Sequence, residues 1–513
     1  MEKRCSSIVL AENNAATTFT TTEVKARIEQ EVGDLVRWVL SGQSLTFFAF
    51  EAQLVSRVLA LGRLFVQLFL CMRHERFQAA HTDPEPGYKK HGPHSRLLGT
   101  FFGKVRYWRT YFYSKGRGYY PLDVELGLTG DGFSMVLRSY AARVATKVSY
   151  AQAALLLTMF LRWSPAQESI EGMVLGLGQH TEAWFESAPA PEGDGEVLII
   201  QIDSKATPTA TEAELEKRRG KRAPNLHPGS QRHRGRAARQ RRGSKKRRKK
   251  GDKAKNGKMA TIVTMYTLKQ STDGTLEGPI NKKVYASYAP KRHAVAIARR
   301  EANKRGFGPK SGKLIQIVTD GDNDLERYIG EYFSGAEHTI DVYHVTEYVW
   351  EAGQCLYKEG SAELREWAEE QKEALYDGRA GDIVDEIDKR LARFDPGKQS
   401  ARERLEKVRN YIDKRVDKMN YKELRERDLE ISSGAVEGAV NYVIARRFDC
   451  GGMRWIKERA EHLLQLRCIE VNDDWDAFIQ FVHDRTREQA QHERRNLSLK
   501  CTTPAALPTY GLV

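Results

Sequence analysis

Val24, Ile28, Val32, Leu35 and Val39 recur at helical spacing, so residues 23–40 read as an amphipathic helix. A second, longer helix follows from about Leu45 to Glu75. Residues 81–95, rich in Pro, Gly and His, read as a loop, and His91 and His94 within it lack the second ligand pair that a zinc site needs. Thr100–Tyr113 alternates aromatic and polar residues, as a β-hairpin does. The helical pattern returns over 131–176 with a break at Trp163, where Ser164 is placed to cap, Pro165 to open the next helix and Gln167 to complete a capping box. A helix–turn–helix of this kind serves either as a packing hairpin or as a DNA-reading unit.

The pattern changes at Glu196. Val197–Asp203 is a continuous apolar run ending in an acid, the signature of a strand buried on both faces. Met259–Leu268 and Asn281–Ala289 read as two more strands and Lys291–Lys304 as a helix. Lys313–Asp320 is another buried strand ending in an acid, Asp324–Phe333 a short helix and Thr339–Val345 a fifth strand. This order predicts an α/β domain with a mixed sheet, preceded by a mostly helical N-terminal region. From Thr346 to Glu430 the chain is charged and helical. Ile383, Ile387, Leu391 and Phe394 form one apolar stripe, Leu405, Val408 and Ile412 another, and Asp395-Pro396-Gly397 turns between them. Three or four inserted helices are expected there, followed by helices over Ser432–Arg446, Met453–Ile469 and Trp475–Arg494. The expected domains are 1–190, with its hairpin and helices as a candidate DNA-end-binding region, a sheet core over 191–345 with a disordered basic insert at 215–258, the helical insertion 346–430, C-terminal helices over 431–496 that complete the core, and a disordered tail over 497–513.

Composition changes this picture in one place. The 513 residues carry a formal net charge of +15, yet Lys217–Lys258 alone holds 20 Lys and Arg against one acid, Asp252. That segment contributes +19, so the rest of the chain stands at −4. A near-neutral body with one cationic segment points to a nucleic-acid contact, an acidic-surface contact or a targeting tail. The six cysteines are scattered and form no C-x-x-C pair, which excludes a disulfide scaffold and fits a reducing compartment. Thr46–Met72 is interrupted by Glu51, Arg57 and Arg63, and Val148–Leu161 is short, so a soluble protein with no membrane partner is expected.

The two acids at strand ends, Asp203 and Asp320, carry the candidate chemistry. A carboxylate at the end of a buried strand is costly unless it finds donors or a cation, and hard divalent cations prefer oxygen ligands. Gln201-Ile202-Asp203-Ser204-Lys205, Thr319-Asp320-Gly321 and Asp341-Val342-Tyr343-His344-Val345 are followed by Ser432-Ser433-Gly434-Ala435-Val436-Glu437-Gly438 and Gly452-Met453-Arg454-Trp455. These blocks, in this order, resemble the RNase H-like DDE transposases, and more specifically those of the ISKra group of bacterial insertion sequences, over residues 95–470. The last block is the most specific of them.

The resemblance implies an RNase H-like sheet with Asp203, Asp320 and Glu437 as catalytic acids and ligands of two Mg²⁺ or Mn²⁺ ions, and no other cofactor. Asn441, one helical turn beyond Glu437, would share its face. Asp341 and His344 match an Asp-x-x-His element with a positional or DNA-contacting role, His344 being open to a core reading as well. Arg446, Arg447 and Arg454 would hold backbone phosphate, and Trp455 would stack on a base or sit in the core. The implied protein binds the terminal inverted repeats of its element and target DNA, oligomerises on DNA, cuts and transfers strands, and works in the bacterial cytoplasm at the nucleoid. A nuclease or resolvase on the same fold, and a non-catalytic nucleic-acid-binding protein, are the alternatives. In the basic segment Arg232, Arg234, Arg236, Arg239, Arg241, Arg242, Lys245, Lys246, Arg247, Arg248, Lys249 and Lys250 are the expected phosphate contacts. If roughly five to eight of these engage phosphate, replacing Arg232–Lys250 by a Gly/Ser linker flattens the log–log salt dependence of DNA binding by about five to seven units. Base preference stays the same, because phosphate contacts do not read sequence. Salt titrations of both proteins on one duplex measure this, and equal slopes would remove the segment from the interface.

Overall fold

The computed structural model describes residues 19–41, 45–80, 84, 87–115, 117–128, 130–219, 257–450 and 452–498. The expected phosphate contacts between Arg232 and Lys250 lie outside the described residues, as does the tail beyond Ser498. The chain forms two compact units, one of residues Met1–Val174 with Asp476–Val513 and one of Leu175–Trp475. The division thus falls before residue 190, and the last helix groups with the N-terminal region instead of with the sheet, where the sequence reading had placed 431–496.

The first unit opens with α1 (Thr21–Ser41) and α2 (Phe47–Ala80), which pack through Val24, Ile28, Leu64 and Cys71. By length and composition α2 is apolar enough to cross a membrane, the one such helix among the described residues, in spite of Glu51, Arg57 and Arg63. Then come β1 (Lys89–Thr100), β2 (Gly103–Ser114), β3 (Arg117–Tyr119) and α3 (Pro121–Glu125). The first strand of the hairpin therefore comes from the segment read as a loop. The aromatic alternation of β2 supplies its partners: Lys89 faces Tyr113, His91 faces Tyr111, and the His94 ring stacks on Tyr111 at 5.4 Å. Helices α4 (Met135–Lys147), α5 (Tyr150–Leu161) and α6 (Gln167–Gly178) follow. The capping box forms one helix earlier than expected, between Ser149 and Gln152. The Ser164 hydroxyl is turned onto the Pro165 carbonyl instead, 2.8 Å away, and α6 starts only at Gln167.

The second unit is α/β. Along the chain it comprises α7 (Thr181–Ser187), β4 (Val197–Pro208), α8 (Glu212–Arg219), β5 (Gly257–Gln270), β6 (Leu276–Ser287), α9 (Lys291–Lys304), β7 (Leu314–Thr319), α10 (Asn323–Tyr332) and β8 (Glu337–Ile340). Next are α11 (Val342–Leu356), α12 (Ala362–Tyr376), α13 (Ala380–Ala392), α14 (Gln399–Asp413) and α15 (Tyr421–Glu426). Then α16 (Gly434–Ala439) runs through a π turn at Val440–Ala445 into α17 (Arg446–Phe448), with α18 (Lys457–Val471) behind it; α19 (Trp475–Ser498) starts at the unit's last residue.

The strands lie in the order β6-β5-β4-β7-β8, with β4, β7 and β8 parallel and β5 antiparallel to both of its neighbours. Successive side chains on a strand point to opposite faces. Leu198, Ile200, Ile202, Ile315 and Ile317 pack on Ala294, Val295 and Ala298 of α9 and Leu325 and Ile329 of α10. Val197 and Ile199 face the other way, onto Val345 and Val349 of α11 and the core of the inserted helices, where Ile383, Ile387, Leu405, Val408 and Ile412 are fully buried. Covering both faces is what requires the continuous apolar runs.

A buried ion pair locks the start of β4. Arg305, just past α9, donates from Nε and Nη2 to Asp194 at 2.9 and 2.6 Å, and Asn281 of β6 donates to the same carboxylate at 2.9 Å. Burial alone would push the Asp194 carboxyl up, but the hydrogen bonds from Arg305, Asn281 and Thr267 carry it below its ordinary value. This stabilisation is fully present above the unfolded carboxyl value of about 3.9 and is lost as pH falls through the lowered folded value. Asp194→Asn is therefore expected to cost about 3 kcal/mol at neutral pH, and the deficit should shrink below roughly pH 4. Urea denaturation across pH measures both, and a deficit independent of pH would show that the carboxylate charge is not what stabilises the fold.

Candidate active site

Asp203 and Asp320 occupy equivalent places on neighbouring parallel strands. Ile202 of β4 pairs with Thr319, the last residue of β7, and an acid follows each. The side-chain alternation puts Asp203 on the same face as Val197, Ile199 and Gln201. Asp320 continues the face of Gln316 and Val318, the side covered by α11 and the inserted helices.

The turn after Asp320 is set from above. Its backbone carbonyl accepts from the Tyr411 hydroxyl of α14 at 2.7 Å, and the Gly321 carbonyl accepts from Arg415 Nη2 at 2.8 Å. Gly321 has φ +76°, and a Cβ there would lie 2.6 Å from the Tyr411 hydroxyl, so only glycine lets the chain turn beneath α14. The insertion thereby reaches the second acid directly.

The sequence TIDVYHV, expected to be a strand, splits. β8 stops at Ile340, and Asp341 caps α11 by accepting from the Tyr343 N–H at 2.9 Å. Two backbone bonds force the change, from Asp341 N–H to the Thr319 carbonyl and from Val342 N–H to the Ile431 carbonyl. His344 consequently sits on the first turn of a helix. Asp341 is fully buried, and its other oxygen accepts from the Ser433 hydroxyl at the N-cap of α16.

Glu437 lies on α16, and a strap of chain before it crosses the sheet. Gln201, wholly buried in β4, donates to the Ser432 carbonyl at 3.1 Å and accepts from the Val436 N–H at 2.9 Å. Gln316, wholly buried in β7, donates to the Glu430 carbonyl at 2.6 Å and accepts from the Glu430 N–H at 3.0 Å. The Tyr266 hydroxyl adds a bond to the Glu430 carboxylate at 2.8 Å. Each glutamine amide thus bonds backbone of the strap from within the sheet, although the Val436 N–H is shared with the Ser433 carbonyl at 3.0 Å.

These supports gather the candidates. Asp341, His344 and Glu437 each place a ligand atom within 4.8 Å of the others, a group that does not include Asp203 or Asp320, so the expected trio is not closed to that distance. The Asp203 carboxyl is pushed above its ordinary value by burial, and the neighbouring Asp320 and Glu437 carboxylates raise it further against the Ser204 N–H and His344. Asp203, Asp320, Glu437 and His344 therefore share one electrostatic neighbourhood. A crowd of oxygen donors with one imidazole, in no ion pair among the described residues, is a donor set that suits Mg²⁺ or Mn²⁺.

The other expected contacts divide. Arg446 and Arg454 are exposed, and so is Asn441, whose one-turn relation to Glu437 is altered by the π turn. Arg447 is not a surface contact: it is buried, with its guanidinium 4.7 Å above the Trp455 ring, and Trp455 is core. Sequence reasoning assigned no role to Gln201, Gln316, Tyr266 or Ser433. The available signal was a glutamine inside each apolar run, since a fully buried amide has to find partners. No protein-family model matches this chain, and no curated protein matches its sequence.

Gln201→Leu keeps the volume of the strap's anchor but strands the Ser432 carbonyl in the interior and leaves the Val436 N–H with the Ser433 carbonyl alone. The expected loss of stability is about 1–3 kcal/mol for the one orphaned group, whereas Glu437→Gln, on an exposed side chain, should stay within about 0.5 kcal/mol. Chemical denaturation of both variants makes the comparison, and equal effects would deny the strap its anchoring role.

Proposed function

We propose that the chain is a DNA transposase of the DDE type, built on an RNase H-like core, which cuts a phosphodiester at its element's ends and directs the freed 3′-OH at target DNA. The observation that carries this reading is the placement of three acids. Asp320 follows the end of β7, Asp203 stands in β4 just beyond its last residue paired to β7, both on one face of the sheet, and a helix glutamate is strapped over that face. The strand order supports it: counted along the sheet-forming part of the chain it runs 3-2-1-4-5, with only the second strand antiparallel, as in RNase H-like domains. The cationic segment between β4 and β5 supplies a reason for a polyanionic substrate.

In this reading Asp203, Asp320 and Glu437 hold two Mg²⁺ or Mn²⁺ ions, with Asp341 and His344 at the margin. Such ions, when bound, activate the attacking oxygen and stabilise the leaving one. The protein's own contribution is position. Gln201 and Gln316 fix the Glu437 helix against the sheet, Tyr411 and Arg415 fix the Asp320 turn, and Asp341 joins the helix of His344 to the helix of Glu437. Holding reactants in register in this way accounts for much of the barrier lowering in phosphoryl transfer.

Asp203→Asn, Asp320→Asn and Glu437→Gln are each expected to lower cleavage of labelled element-end DNA by on the order of 10²–10³-fold or more, with DNA binding and thermal unfolding retained. The assay uses Mg²⁺ or Mn²⁺ and maps products to the nucleotide. Strand-transfer products joined to target DNA separate a transposase from a nuclease with the same centre. Robust cleavage by Glu437→Gln would take the helix glutamate out of the mechanism.

A further inference from the structure

Within the N-terminal unit, α2, the turn into β2 and the end of α5 line an open surface pocket of about 300 Å³. This is the lower end of the roughly 300–1,000 Å³ span of ligand pockets. Three cations line it: Arg63 of α2, Lys104 of β2 and Arg162 after α5. Two rings, Phe102 and Trp163, complete its wall. No acid pairs with any of the three cations among the described residues. Burial and the nearby Arg27 instead hold the Arg63 guanidinium below its ordinary pKa, the mark of a half-buried positive charge without compensation.

The backbone shows that the site is built. Arg162 has φ +61°, in the left-handed region that glycine occupies at the ends of helices. An arginine there keeps a guanidinium at the rim against a local conformational preference. At Gly62 a Cβ would lie 2.5 Å from the Phe102 ring, so glycine is what allows that ring to close against α2. Gly103, at φ +121°, makes the turn that brings Lys104 around Arg63.

We propose that this pocket binds one nucleotide unit, with the phosphate held by Arg63, Lys104 and Arg162 and the base against Trp163 and Phe102. Guanidinium groups suit phosphate oxygens, and an aromatic face accepts any base. The site shares no residue with the carboxylate centre and does not depend on its chemistry. A free nucleotide and a nucleotide within a strand offer it the same groups.

Calorimetric titration of the full chain with dAMP, and separately with a 5′-phosphorylated single-stranded hexadeoxynucleotide, tests the proposal and distinguishes the two sources. Arg162→Gly relieves the backbone while removing the charge, so it should preserve or raise the melting temperature. It should also weaken binding roughly tenfold to a hundredfold, as loss of a charge-assisted contact does. Arg63→Gln should weaken binding to a similar degree, and Arg106→Gln, on the exposed side of β2, should not. Variant-sensitive binding of dAMP identifies a free nucleotide as sufficient. Variant-sensitive binding of the hexanucleotide alone identifies a strand as the ligand. Binding of neither probe, or affinities indifferent to both Arg162→Gly and Arg63→Gln, overturns the proposal.

Discussion

The site rests on one buried amide. Gln201 lies in the middle strand of a five-stranded sheet, with no solvent to serve its side chain, and its oxygen and nitrogen are both committed to the chain at 432–436. Because the amide is planar and the strand rigid, these two bonds fix the start of α16 in distance and direction. Gln316 repeats the device on the neighbouring strand for residue 430. Glu437 is exposed and has little packing to hold it; it is placed almost wholly by what precedes it. A half-satisfied version of this network would be worse than an apolar one, since each orphaned backbone group carries its full desolvation cost.

The same arrangement explains what could and could not be read from the residues. The central strands, α9, α10 and the stripes of the insertion were legible because both-face burial and helical periodicity write themselves into apolar spacing. Asp203 and Asp320 were legible as acids that end such runs. The segment 339–345 was not, because Thr, Ile, Val and Tyr favour a strand locally. What makes it a helix is the Ile431 carbonyl, which arrives from a distant part of the chain. β1 was missed for the converse reason: Gly92 and Pro93 look like a loop, and only the aromatic face of β2 turns the segment into a strand. The roles of Gln201 and Gln316 lay in partners far along the chain, which no spacing rule supplies.

Charge follows a consistent logic in the N-terminal unit. Where an arginine supports the fold, an acid meets it: Arg96 and Arg109 share the buried Asp123, Arg138 meets Asp131 and Arg73 meets Glu125. These pairs sit under or beside the three-stranded sheet, and the side chains of Arg96, Arg109 and Arg138 are at most 14% exposed. Arg63, Lys104 and Arg162 break that rule together and at one pocket. Arg63 is half-buried and Lys104 and Arg162 are exposed beside it, so like charges gather at a pocket where an anion from outside the chain would relieve their repulsion.

The second unit poses the opposite problem, since a centre made of carboxylates repels the phosphodiester that the proposed chemistry requires. The cationic segment stands where it offsets this. It is inserted between Pro208 and Gly257, which pair with one another at the end of β4, the same end of the strand from which Asp203 emerges. Both ends of the segment are therefore anchored on the acid side of the sheet. Screening limits charge effects in solution to about 10 Å, so a tract joined elsewhere would do little for the centre unless it folded back. The segment, with a net charge of +19 over Lys217–Lys258, joins the sheet through Pro208 and Gly257 on that side. In the proposed reading the carboxylates keep the crowding that favours divalent cations, and the attraction for DNA is left to the separate cationic segment.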